Sequence, residues 1–178
     1  MMSIYSIFAI TASITCFVLA AVIYLSNRKG SLNRIFILAI VFGAYAAFTT
    51  FMVIEANNFE AAYLWNKIGF LRPFFGAFLF QFALVFTGAS LSTSRLRYVL
   101  LYMPAALFSI VDLITGEISG SAVAGWWGYQ FAGSGSLFYY ASTIWSLTLS
   151  FASALLCLIF FFRTKDEIKK QQAKIKRR

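Results

Sequence analysis

The sequence predicts an all-α fold: a polytopic membrane bundle of five transmembrane helices. Three observations predict it. Hydrophobic residues make up 61% of the 178 and charged residues only 12%, with a mean hydropathy of +0.78. A soluble domain sits nearer half apolar and a quarter charged. The apolar residues gather into five runs, about 4–25, 34–56, 66–88, 98–115 and 137–162, each long enough to reach across hydrocarbon about 30 Å thick. The bases fall almost entirely between these runs and in the last sixteen residues, 163–178.

Span one, Ile4 to Leu25, follows no basic n-region and precedes no A-x-A cleavage pattern, so it reads as a retained anchor. Ala12, Cys16 and Ala20 recur every four residues and predict a small-residue seam against a neighbour. Gly30 ends this span, and Ser31 or Asn33 is placed to cap the next. Span two carries a close-approach stripe of Ala39, Gly43, Ala47 and Thr50, with Glu55 at its far end.

Span three, WNKIGFLRPFFGAFLFQFALVFTG, is the unusual one. It holds Lys67 and Arg72 near one end, Pro73 beside them and Gln81 near its middle. A charge, a helix breaker and an amide each need a local reason in lipid. Pro73 predicts a kink near Gly69 and Gly76. Gly69, Pro73, Ala77 and Gln81 share a face, which turns the amide toward protein. Span four contains a second hinge candidate, Pro104, and Asp112 near its far end. The longest connection follows, rich in Gly and Ser and bearing Trp126, Trp127, Tyr129 and Phe131; its aromatics predict that part of it folds back on the membrane surface. Span five places Ser142, Ser146, Ser150, Ser153 and Cys157 on one face, either as a packing seam or as a polar pathway. The basic segment 163–178 continues in good helix formers, with Asp166 one turn from Lys170. It reads as a cytoplasmic helical tail or as the start of a loop to a sixth helix.

The net charge of +9 does not point to nucleic acid, because the bases lie between spans with no nucleic-acid fold around them. Assigning the connections alternately to two sides puts 13 of the 15 bases on one side, leaving Lys67 and Arg72 on the other. The positive-inside rule then places the N-terminus outside and the C-terminus in the cytoplasm. The same topology gathers Glu55, Lys67, Arg72, Asp112 and Glu117 at the outer helix ends. Arg72 is expected to face the interior and pair with Asp112 or Glu55, as a structural ion pair or as part of a ligand pocket roofed by the segment from Trp126 through Tyr129 to Phe131. The chain has no histidine, and Cys16 and Cys157 both fall inside spans. No catalytic constellation, cofactor motif or metal spacing is expected, so the chain does not read as an enzyme.

Three stretches carry a family resemblance: LNRIFILAIVFGAYAAFTTFM; AAYLWNKIGFLRPFFGAFLFQFALVFTG; and GWWGYQFAGSGSLFYY leading to a long span and KKQQAKI. In this order and spacing they resemble the seven-helix membrane domain at the N-terminus of many prokaryotic sensor histidine kinases. The resemblance implies a sensory input unit in the cell membrane that passes an extracellular or in-membrane signal to cytoplasmic kinase modules in the same or a partner chain. A homodimer and a small-molecule or membrane-derived ligand are the further partners. It also implies that KKQQAKIKRR matches the basic segment before a sixth helix, in a larger receptor or a short five-helix relative. It transfers no catalytic residues. A small transporter or substrate-binding subunit built around Gln81, and a helical anchor for partner chains, are the alternatives.

Overall fold

The structure, a computed structural model, describes residues 3–26, 30–88 and 95–175, with side chains throughout except at Arg95, Arg97 and 165–175. The bases Arg28 and Lys29, those of the tail from Lys165 onward, and the expected pairing of Asp166 with Lys170 lie outside the described side chains. The elements are helices α1 (Ile4–Ser26), α2 (Ser31–Ile54), α3 (Phe59–Ile68), α4 (Pro73–Phe86), α5 (Arg95–Thr115) and α6 (Leu137–Ile175). A two-stranded hairpin, β1 (Ser121–Gly125) and β2 (Gly128–Ala132), stands between α5 and α6. Five stretches are long and apolar enough to cross a membrane: Ile4–Ser26, Ser31–Ile54, Phe59–Phe86, Tyr98–Thr115 and Leu137–Thr164. The fold is therefore an all-α membrane bundle, as its composition dictates. Large apolar side chains such as Phe8, Leu107, Phe151 and Phe162 are exposed, as lipid-facing positions are.

Helix α1 packs on α2, α2 on α4 and α4 on α6, while α5 lies against α4. The α1 seam differs from the expected one. Ser6, Ser13 and Ala20 are buried, whereas Ala12 is exposed. The Ser13 hydroxyl donates to the Ala44 carbonyl of α2 at 3.0 Å, and this bond sets which face turns inward, since a hydroxyl in lipid gains most where it meets an acceptor. Deeper in the bundle, Ala77, Leu101, Ala105 and Leu149 form a core where α4, α5 and α6 meet, with Phe74, Phe80, Tyr102 and Trp145 around it. Gln81 accepts a hydrogen bond from the Tyr102 hydroxyl of α5, so its amide faces protein.

The third span starts earlier than its apolar run. Asn58 caps α3 by accepting from the Ala61 N–H at 2.8 Å, so the helix begins at Phe59 rather than near Asn66. A 3₁₀ turn, Gly69–Leu71, then separates α3 from α4, with Pro73 at the first position of α4.

The long connection is a β-hairpin with the register Ser121↔Ala132 through Gly125↔Gly128. It turns at Trp126 and Trp127. Its inner face joins Val53 of α2 and Ala62 of α3 through Ala122, with Trp65 and Tyr129 alongside. Gly120 leads into β1 at φ +64, and a side chain there would run into the Ala132 carbonyl oxygen. Gly120→Ala is therefore expected to cost about 1–3 kcal/mol, read as lower thermal stability of the purified protein and faster proteolysis within 121–132.

Candidate functional site: a polar cavity at the α3–α4 break

The site begins with Pro73. Proline has no N–H to give the Gly69 carbonyl one helical turn back, and the Arg72 N–H takes that carbonyl instead at 3.0 Å, in 3₁₀ fashion. The Ile68 carbonyl thereby loses its helical donor, and the Tyr45 hydroxyl of α2 supplies one. At Pro73 the structure thus shows a 3₁₀ break in the helix, with the freed backbone group satisfied by a neighbouring helix. The guanidinium of Arg72 folds back over Gly69, where any side chain would collide with it.

Arg72 is half-buried. Its Nε and Nη2 donate to the Thr49 hydroxyl of α2 at 3.3 and 3.1 Å, and its Nη1 donates to Asn66 Oδ1 at 3.3 Å. Thr49 spends its own proton on the Ala46 carbonyl at 3.0 Å, which leaves its lone pairs for the arginine. The Phe131 ring of β2 lies over the guanidinium, with its centroid 4.1 Å away.

Asp112 is only 4% exposed. Gly116, at φ +68, ends α5 in a left-handed cap and donates to the Asp112 carbonyl at 2.8 Å. The turn brings the next backbone amides back over the carboxylate. Oδ1 accepts from the N–H groups of Ile118 and Ser119 at 3.2 and 2.6 Å, and Oδ2 accepts from the Ser119 hydroxyl at 2.5 Å. Asn66, fully buried, joins the two halves: its Nδ2 donates to the Ser119 carbonyl at 2.8 Å while its Oδ1 receives Arg72.

The expected direct ion pair of Arg72 with Asp112 or Glu55 is thus replaced by a relay through Asn66 and Ser119. Among the described residues no carboxylate oxygen lies within 4.0 Å of the guanidinium. The physical reason is competition. Asp112 is more fully satisfied by three donors of its own loop than by the one side chain at the α3–α4 break. Arg72 and Asp112 nonetheless line one cavity of about 340 Å³, together with Phe75, Ser142, Thr143 and Ser146. The serine face of α6 is therefore divided: Ser142 and Ser146 border the cavity, whereas Ser153 bonds back to the Leu149 carbonyl at 2.6 Å.

The other singled-out residues sit elsewhere. Glu55 and Trp126 border a second hollow of about 610 Å³ with Tyr5, Trp127 and Gly128. Trp126 is 84% exposed and meets Trp127 edge-on at 4.7 Å. Of the expected roof, only Phe131 covers Arg72, because the hairpin turns its Trp pair toward α1 and its Tyr129 into the packing cluster with Val53. Lys67 lies 5.5 Å from the Tyr63 ring centroid. Gln81 belongs to the α4–α5 contact, and Pro104 stands inside α5. Thr49, Asn66 and Ser119 were not foreseen. Asn66 had a signal, a carboxamide in an apolar run six residues before the only arginine of that run. Thr49 and Ser119 had none.

Hydrogen-bond donors and acceptors thus converge on a cavity at a broken helix, with the Phe131 ring over the guanidinium. No curated protein and no solved structure matches the chain. The model of one family does, described as the N-terminal 7TM region of histidine kinase, over residues 8–175. With a match across nearly the whole chain and five stretches of the described residues long and apolar enough to cross a membrane, this multi-pass membrane protein belongs to the family of N-terminal 7TM regions of histidine kinases.

Proposed function

We propose that the chain is the sensory input unit of a two-component receptor, taking its signal at the Arg72–Asp112 cavity and passing it to cytoplasmic kinase modules through α6. The hairpin end of the bundle faces outward and the basic tail inward, an orientation that rests on the placement of 13 of the 15 bases. One observation carries the reading. The break between α3 and α4 lies at the cavity, and α4 just past the break packs directly on α6. An occupant that alters the Arg72 contacts changes the join, and α4 hands the change to the helix that leads toward the tail. Gln81, on which a transport path would depend, is taken up by Tyr102.

Gly76 gives the test. It sits one turn past the break, and a Cβ built there would lie 3.6 Å from the Ser146 carbonyl oxygen, ordinary contact. Gly76→Ala should leave stability and kinase output close to wild type. Gly76→Leu has no room and should displace α6, shifting autophosphorylation of the associated kinase by about tenfold, roughly 1.4 kcal/mol of bias. Unchanged output from a folded Gly76→Leu protein would refute transmission through this contact.

A further inference from the structure

We infer that the occupant of the Arg72 cavity is a single-chain amphiphile with a carboxylate head, held by the Arg72 guanidinium with its chain running out between α2 and α6. The inference deepens the proposed input site and rests on that reading.

Charge is the first ground. A guanidinium has five N–H donors, and three hydrogen bonds engage Arg72, all to neutral acceptors. No carboxylate oxygen of the described residues comes within 4.0 Å. The nearby acid, Asp112, already has three donors on its oxygens. A partly buried cation in a membrane, with no contact counter-ion among the described residues, is matched by a carboxylate, which supplies one with two-oxygen geometry. Ser142, Thr143 and Ser146 border the same space, and a hydroxyl is a donor suited to such a head.

Shape is the second ground. Phe75 and Leu147 also line the cavity, and Leu147 is 53% exposed, so the cavity opens on the outer face of α6 rather than closing inside the bundle. Phe75 reaches across to Gly43 of α2, which makes an apolar floor between α2 and α6. A volume of about 340 Å³ is at the small end for ligand pockets; it holds a head group and the first part of a chain, and the remainder lies along lipid-facing surface. Depth is the third. Thr49 lies five residues from the end of α2, about 8 Å along the axis, which places the guanidinium near head-group level, where the carboxylate of a membrane-dissolved amphiphile sits.

The test is photolabelling of the full chain in phosphatidylcholine nanodiscs at about pH 8, where a carboxylic acid is ionised. The probes are hexadecanoic acid carrying a diazirine close to the head, and the matching hexadecanol. The acid should label the segments containing Phe75 and Ser142–Leu147 about fivefold more than the alcohol. Arg72→Gln should bring the two probes level, and Arg72→Lys should keep part of the difference. Thr143→Phe, which fills the cavity without removing the cation, should abolish acid labelling there, and it serves where Arg72→Gln does not fold. Equal labelling by acid and alcohol, or acid labelling that survives Thr143→Phe, would overturn the inference. Because labelling reads occupancy without kinase output, such a result would leave the Gly76 test of signal transmission standing on its own.

Discussion

Arg72→Ala is expected to lower stability by about 2–4 kcal/mol and to abolish the response of the associated kinase. The fully buried Asn66 Oδ1 would lose its donor, and the buried Thr49 hydroxyl would lose the two N–H groups it accepts. An unsatisfied buried acceptor costs about 1–3 kcal/mol. The Phe131 ring would lose the cation beneath it, a contact worth on the order of 1 kcal/mol. Arg72→Lys keeps the charge but has no planar fork to reach Thr49 and Asn66 together, so it should recover less than half of the loss. Thermal unfolding in a mild detergent and autophosphorylation measured side by side separate the two effects. An alanine variant with wild-type melting and output would show that the relay organises neither fold nor signal.

The second large effect is expected at Asp112. Asp112→Ala should destabilise by about 3 kcal/mol or more, because it strips the acceptor from the Ile118 and Ser119 amides and the Ser119 hydroxyl at once. The damage should spread, since Ser119 also presents its carbonyl to Asn66. Asp112→Asn keeps Oδ1 for the two amides, and the Ser119 hydroxyl can turn to accept from the new amide nitrogen; it should cost about 1 kcal/mol. Hydrogen exchange at the Ile118 and Ser119 amides checks the assignment directly. Protection there should vanish in the alanine variant and persist in the asparagine variant. An alanine variant that protects these amides as well as wild type would mean the carboxylate is not what holds the turn.

These two residues also show how far the sequence could be read. Arg72 and Asp112 stand out because charge is rare and costly in apolar spans, and both line the cavity. The five spans were legible for the same reason, since hydropathy averaged over a window survives every local detail. What the sequence hid was partner choice. Nothing in a string of letters tells that the amides of residues 118 and 119 would turn back onto Asp112, because that depends on a left-handed glycine at Gly116. The hairpin was hidden too. SAVAG is short and mostly small, and a Trp-Trp turn lacks the Asn-Gly type of signal; only docking against Val53 and Ala62 makes those residues strands. Neutral polar residues such as Thr49 and Asn66 gain their meaning from neighbours remote in the chain.

One dimension of α6 would set the sensitivity of the proposed input unit. From Ser142, beside the cavity, to Ile175 the helix continues without interruption, a distance of about 50 Å at 1.5 Å per residue. Treated as a stiff rod pivoting at Ser142, it turns an inclination of about 5° into a sweep of about 4 Å at its far tip. If α6 carries the signal as proposed, an adjustment at the cavity smaller than a hydrogen-bond length would be magnified to the width of a side chain, with no moving part between.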